Sequence, residues 1–262
     1  MASRSSLASR VAICVLSYDG ASDLWAPWFD AFAEAWPDCP LPLYLLTNHK
    51  HFETAHRVET LAIGEDRDWS SNLLAALDRI DQDYVLFSFD DFIPRSIDRT
   101  RVLHFLSRAV ENDWPYLTLY PNNYRTAKVE PGVRRIAEKG IYRCTLVYGL
   151  FRKQTVRELL IPGENAWEFE IESGKRARGI PLFSIDQPVF RHYHLLRKGK
   201  WMRPGYPIIA RKYPLDTSRP VETRMGYALR EAKEWLFRKY HRWIPPHLIE
   251  RLESRRRPAD AN

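Results

Sequence analysis

The sequence predicts an α/β fold, a mostly parallel mixed sheet flanked by helices, with a basic amphipathic helical appendage at the C-terminal end. Three observations carry this. Short apolar runs alternate with segments of helical apolar spacing, in the order strand, helix, strand, strand, helix, strand. The first of those runs read as strands buried on both faces, which suits a parallel sheet under helices. The charge also splits along the chain. Residues 1–190 hold 22 Lys and Arg against 26 Asp and Glu, a net −4, whereas residues 191–262 hold 18 against 7, a net +11.

Each element has its own signal. "RVAICVLSYDG" is an apolar strand bounded by Ser17, Asp19 and Gly20. "SDLWAPWFDAFAEAWPD" starts a helix at Ser22 or Asp23 and stops at Pro37. "PLYLLTN" is a second strand and "VETLAIG" a short third. "DWSSNLLAALDRIDQD" is a helix capped by Asp68 or Ser70, with Leu73, Leu74, Leu77 and Ile80 on one face. "YVLFSF" returns to the sheet and runs into Asp90 and Asp91. Beyond them the pattern gives a helix in "DRTRVLHFLSRAVEND", strands in "YLTLY" and "YRCTLVYGLF", and a helix in "RKQTVRELLI". An acidic turn then leads into the helix of "NAWEFEIESGKRARG", and "PLFSI" is a last strand. The Pro-rich link "YPIIARKYPLDTSRP", which begins at Tyr206, divides the chain into a body over residues 1–205 and a basic helical extension over 206–262.

Composition is that of an ordinary globular chain, 45% hydrophobic and 28% charged, and rich in rings with nine Trp, thirteen Tyr and twelve Phe. Three cysteines without metal-ligand spacing, Cys14, Cys39 and Cys144, read as buried thiols of a reduced compartment. No run reaches the roughly 20 apolar residues of a membrane-spanning helix. The N-terminal "MASRSSLASRVAICVLSYDG" has a signal-like outline, but its apolar run is six residues long and serves better as a first strand. The expected location is the cytoplasm.

In open α/β sheets, ligands collect at the carboxyl ends of the strands. Ser17–Asp19, Thr47–Asn48 and Asp90–Asp91 all occupy such ends, so a cleft is expected there. Adjacent carboxylates in the turn after a strand can hold Mg²⁺ or Mn²⁺ against the phosphates of a substrate. The plainer alternative makes Asp91 a turn cap before Pro94 and leaves Asp90 in solvent. In "NAWEFE", Glu168 and Glu170 are candidate general bases, or acids placed to favour a helix N-terminus. In "RHYHLLRKGKWMRPG", His192 and His194 face one side of an extended segment and offer neutral imidazole ligands. Lys198, Lys200 and Arg203 surround Gly199 in a loop suited to closing over phosphates, or simply to facing water.

Taken together, "LSYDG", "DWSSNLLAALDRI", "YVLFSFDD", "NAWEFE" and "RHYH…KGKW" resemble the GT-A class of nucleotide-sugar glycosyltransferases, in particular bacterial enzymes of surface-polysaccharide and lipopolysaccharide assembly. The resemblance covers roughly residues 10–205. It implies a GT-A catalytic domain in which Ser17, Tyr18, Asp19 and Asn48 lie by the nucleotide, and Trp69 and Asn72 line the donor pocket. It implies that Asp90 and Asp91, with His192 or His194, bind Mg²⁺ or Mn²⁺ and the donor. Glu170, with Glu168 second, is implied as the base of an inverting transfer to a saccharide or lipid-linked acceptor. Ser88 stands where a strict D-x-D motif would place its first acid. Relatives that work without metal rely on basic residues, here Lys198, Lys200 and Arg203.

Residues 221–244 join an apolar stripe (Met225, Leu229, Ala232, Leu236, Tyr240, Trp243) to a basic face and two Trp. Such a helix suits peripheral contact with an anionic membrane, or packing on the body. Two other functions share these residues. Metal-dependent nuclease or nucleotidyltransferase chemistry is disfavoured because the body is acidic, so no nucleic-acid partner is expected. A non-catalytic nucleotide-sugar-binding relative is the other.

Overall fold

A computed structural model describes residues 7–121, 126–139 and 142–240, with side chains described to 236. A nine-stranded sheet organises the molecule, in the order β3-β2-β1-β4-β9-β6-β10-β8-β7. Its strands are β1 (Val11–Leu16), β2 (Leu43–Thr47), β3 (Glu59–Ala62), β4 (Tyr84–Phe89), β6 (Tyr116–Thr118), β7 (Thr126–Glu130), β8 (Val133–Ile136), β9 (Gly149–Arg152) and β10 (Leu182–Ile185). The half containing β3, β2, β1 and β4 is parallel throughout. β9 enters against β4 and β6, β6 and β10 are parallel, and the β7–β8 hairpin closes the far side. The sheet is therefore mixed, with a parallel core.

Helices cover both faces, and the six residues of β1, "VAICVL", are all buried. Ile13 and Val15 meet a layer that includes Trp28, Phe29 and Phe32 of α1 (Trp25–Ala35). Ala12, Cys14 and Leu16 meet one that includes Leu73, Ala76 and Leu77 of α2 (Trp69–Asp78). Successive strand residues point to opposite faces, so a strand buried on both must be apolar at every position. That is why β1 shows no alternation.

The remaining helices are α3 (Arg99–Glu111), α4 (Lys153–Leu159), α5 (Ala166–Arg176), α6 (Gly205–Ile209) and α7 (Arg224–Tyr240), with a 3-10 turn over Asp19–Leu24. Side chains fix their starts. Asp68 accepts the Ser71 N–H at 2.8 Å, and Asp98 accepts that of Arg101 at 3.1 Å. Asn165 and Glu168 form a reciprocal capping box at α5.

Three features depart from the sequence reading. The segment after the aspartates forms β5 (Phe92–Ile97), which pairs antiparallel with β11 (Phe190–His194) outside the main sheet. Pro94 hides this strand in the sequence, because proline suits only edges and bulges; it lies opposite His192, where the register shifts. "YRCTLVYGLF" is a strand only from Gly149, since Tyr142 and Tyr148 take φ of 52° and 53° and break the run before it. The β7–β8 hairpin and the small ribbon of β12 (Leu196–Arg197) and β13 (Lys200–Trp201) are further elements without a strong apolar signal.

The chain beyond α6 folds back on the body. The Tyr213 hydroxyl donates to Asp30 at 2.6 Å, Trp201 donates to the Asp216 carbonyl at 2.7 Å, and Arg219 pairs with Asp23 at 3.0 Å.

Candidate active site at the carboxyl edge of the sheet

β1, β2, β4 and β6 end on one edge of the sheet, and antiparallel β9 begins there, because Tyr148 donates its N–H to Phe87 O at 2.9 Å. This register brings segments far apart in sequence to one place.

At the end of β4, Asp90 is buried and turned toward β1. Its Oδ2 accepts the Ser17 hydroxyl, and Ser17 Oγ in turn accepts the Trp25 indole N–H at 2.6 Å. Burial, and then the neighbouring Asp91, hold the Asp90 carboxyl well above the usual carboxylate range. Ser88 is also buried, in register with Val15. A carboxylate in its place would be desolvated inside the sheet, as that of Asp90 is.

Asp91 points elsewhere. Its Oδ2 is 3.2 Å from His194 Nε2, and its backbone carbonyl accepts the Leu195 N–H at 2.7 Å. The His194 ring stacks on Phe92 at 4.3 Å, the residue paired with it across the β5–β11 ribbon. His192 lies deeper, 4.9 Å from Phe92 and 5.5 Å from Tyr148, and its Nδ1 is buried without a partner. Burial lowers its pKa to about 4, so it is a neutral imidazole. The Tyr148 hydroxyl is likewise buried without a partner. Burial pushes its phenol up, and Tyr120 and Asp91 add to the shift.

Among the described residues no group of three or more His, Cys, Asp or Glu converges as a metal-ligand set. Asp91 and His194 do fit as a pair. Neighbouring ligands of an octahedral Mg²⁺ or Mn²⁺ stand about 3 Å apart, and such ions draw their other ligands from water and substrate phosphates.

Glu170 reaches the same edge from α5. Its Oε1 accepts the Leu146 N–H at 2.8 Å, and burial raises the carboxyl to about 7, against the pull of that hydrogen bond. Glu168, two residues earlier, is exposed, and its carboxylate accepts the Asn165 N–H at 3.1 Å as part of the capping box.

Other expected residues have structural partners. The Asp19 carboxylate accepts the N–H groups of Asn48, His49 and Lys50 at 3.0–3.2 Å, which ties the ends of β1 and β2 together. Burial works against its ionisation, but these three donors outweigh it and the pKa is lowered. Asn48 returns the contact, accepting the Asp19 N–H at 3.1 Å. Tyr18 is exposed beside them. Trp69 stacks obliquely on Phe169 at 5.6 Å, while Asn72 is buried, donating to Asp66 and accepting from the Arg67 N–H at 3.4 Å.

The basic residues divide. His192, His194 and Arg203 line a cavity of about 300 Å³ beside Arg95. Lys198 and Lys200 line a larger one of about 1,310 Å³ between α5 and α7. Trp25, Lys50, Tyr120 and Tyr148 also border the edge without having stood out in the sequence. A tyrosine before a glycine at a strand start was the only available hint, and its positive φ is a tertiary property.

No protein-family profile matches the chain, and neither does any curated protein. Solved structures share its fold. A mannosyltransferase of Pyrobaculum calidifontis, solved with GDP-mannose and Mn²⁺, superposes with a TM-score of 0.51 at 14% identity, over 72% of this chain and 58% of that one. S. aureus TarS residues 1–349 gives 0.48 at 12% identity, over 70% and 60%. A UDP-glucose pyrophosphorylase with bound UDP-glucose gives 0.48 at 12%, over 70% and 93%. The chain thus spans about three fifths of the first two of these structures. The architecture is a GT-A-like mixed α/β fold.

Proposed function

We propose that the chain is a glycosyltransferase that moves a sugar from a nucleotide-sugar donor to a hydroxyl of a saccharide or lipid-linked acceptor in bacterial surface glycan assembly. One observation carries this reading. The sheet edge that presents Asp90 and Asp91 also presents Leu146, whose N–H holds a desolvated Glu170.

The donor diphosphate lies against Asp91 and His194, and the nucleoside lies toward the β1–β2 edge by Ser17, Tyr18 and Asn48. Trp69 and Asn72 border that side. Asp91 and His194 would hold a Mg²⁺ or Mn²⁺ ion, which supplies charge neutralisation for a leaving diphosphate. Ser17 and Trp25 hold Asp90 in a hydrogen-bonded, buried position from which it would support the site beside Asp91. With a pKa of about 7, Glu170 is substantially ionised at neutral pH and basic enough to accept a proton. It takes the proton of the acceptor hydroxyl as the oxygen bonds to the anomeric carbon. The bond from that carbon to the diphosphate oxygen breaks, its electron pair leaves on the nucleoside diphosphate, and configuration inverts.

We extend the reading to location. α7 exposes Met225, Leu229 and Leu236 at helical spacing, with Arg224 and Lys233 on the same helix, and these support peripheral contact with an anionic membrane. Arg230 is already engaged by Glu222 at 3.0 Å. Of the expected stripe, Tyr240 lies outside the described side chains and Trp243 outside the described residues. No helix among the described residues is long and apolar enough to cross a membrane.

A thermal-shift series with UDP, GDP, CMP and dTDP, with and without Mn²⁺, tests the reading directly. At least one nucleotide should raise the melting temperature, since a ligand of the native state stabilises it. Silence across the whole series rejects the assignment.

A further inference from the structure

The larger cavity does not belong to the edge that would hold the donor. One wall is the start of α5, where Trp167 donates its indole N–H to the Tyr142 hydroxyl at 3.2 Å. Glu170 sits one turn further along the same helix, on the side that Trp167 occupies. Another is the β12–β13 ribbon, which follows closely on His194 in the chain. The third is α7, which presents Gly226, Leu229, Arg230 and Lys233, an i, i+3, i+4, i+7 face. Arg197, Met202, Arg230 and Glu234 also line the His192–His194 cavity, so the two spaces adjoin. A molecule in the larger one therefore lies against the helix that carries the candidate base and next to the space lined by His192 and His194.

Its lining has three chemical characters. Trp167 offers a flat ring of the kind that stacks on sugar faces. Leu229 and Val221 are apolar yet exposed, at 58% and 37%. Lys198, Lys200 and Lys233 project into the same space and make no ion pair among the described residues, whereas Arg197 and Arg230 are neutralised by Glu222 and Glu234. Lys198 carries a further mark. With Gly199 it forms the two-residue turn of the ribbon, at φ of 50° and 68°. Such turns favour Asn or Gly at the first position, and a lysine held there is backbone strain of the kind that gathers at functional sites.

We propose that this cavity binds the acceptor, and that the acceptor is an anionic amphiphile: a sugar joined through a phosphate or diphosphate to an apolar chain. The sugar stacks on Trp167 with its hydroxyl toward Glu170, the phosphates meet Lys198, Lys200 and Lys233, and the chain leaves along Val221 and Leu229. This rests on the transferase reading above, and it reassigns Lys198 and Lys200 from the donor to the acceptor.

The test is calorimetric titration of the full chain with three probes: farnesyl diphosphate, inorganic pyrophosphate and uncharged octyl glucoside. Farnesyl diphosphate should bind at least tenfold more tightly than either of the others. The double variant Lys198→Glu/Lys233→Glu should weaken it at least tenfold, and Leu229→Ser should weaken farnesyl diphosphate but not pyrophosphate. Both variants alter exposed side chains, and unchanged melting temperatures confirm their folding. Equal affinity for pyrophosphate and the farnesyl ester would mark a plain phosphate site and overturn the proposal. Equal affinity for octyl glucoside, or indifference to the lysine changes, would overturn it as well. Loss of UDP or GDP binding in the lysine variant would return those residues to the donor and overturn the assignment. Farnesyl binding is read without any nucleotide, so failure here is separate from failure of the nucleotide screen.

Discussion

Glu170 Oε1 accepts the backbone N–H of Leu146 at 2.8 Å, and this one bond joins α5 to the segment that leads into β9. Two residues on, Tyr148 is bonded to Phe87 on the strand that delivers Asp90 and Asp91. The candidate base and the acid pair are therefore held by one short piece of backbone. At Gly149 a Cβ would sit 2.1 Å from the Thr145 carbonyl, so this piece admits only glycine there.

Replacing the base should abolish transfer and leave donor binding in place. We expect Glu170→Gln to lower kcat by about 10²–10⁴-fold, with the nucleotide thermal shift retained. Wild-type kcat should rise with pH through about 7, because the ionised carboxylate is the active form. Transfer by the variant at the wild-type rate would remove Glu170 from the mechanism.

The same carboxyl makes a stability prediction. Its folded pKa of about 7 lies above the 4.5 of an unperturbed glutamate, so its favourable contribution is complete below pH 4.5 and fades as pH rises toward 7. Glu170→Gln has no charge to desolvate. It should melt higher than wild type at pH 8, with the gap closing by pH 4.5, as followed by circular dichroism. A gap independent of pH would contradict the burial argument.

Asp91→Ala and His194→Ala should each remove the Mn²⁺-dependent part of the nucleotide thermal shift. A site filled to 100 times its Kd contributes about 2.7 kcal/mol, enough to read the loss clearly. Ser17→Ala should act more weakly, since it frees Asp90 without removing a donor from Asp91. Should Ser17→Ala prove the more damaging, Asp90 rather than Asp91 meets the ligand.

Asp68 caps α2 and also accepts the Gly163 N–H at 3.0 Å, tying that helix to the loop before α5. Asp68→Ala should cost about 1–2 kcal/mol in urea unfolding, whereas the exposed Asp81→Ala should fall within about 0.5 kcal/mol of wild type.

The protein should sediment with liposomes containing anionic lipid at low salt and be released as salt rises, since each Lys or Arg near the surface adds about 1 kcal/mol. The double change Met225→Ser/Leu236→Ser should weaken that association. If the wild-type protein stays in the supernatant at low salt, α7 is not a membrane contact.

By itself the sequence determined the parallel half of the sheet and its helices, because burial on both faces forces unbroken apolar runs such as "VAICVL" and caps such as Asp68 are local chemistry. It also placed the polar strand ends of β1, β2 and β4 on one edge, since parallel connections leave no other choice. Tertiary structure alone decided how those residues divide. Asp90 turns inward to Ser17 while Asp91 turns to His194, and nothing in two consecutive aspartates distinguishes them. The pairing of His194 with Phe92 depends on a ribbon interrupted by Pro94 and closed by residues a hundred positions later. Glu170 differs from Glu168 only because a helix rotates consecutive acids by 200° over two residues, carrying one to the buried Leu146 N–H and leaving the other at the cap in water. Local patterns in a chain record which face is buried, whereas which buried partner each polar group meets is fixed by contacts between distant segments.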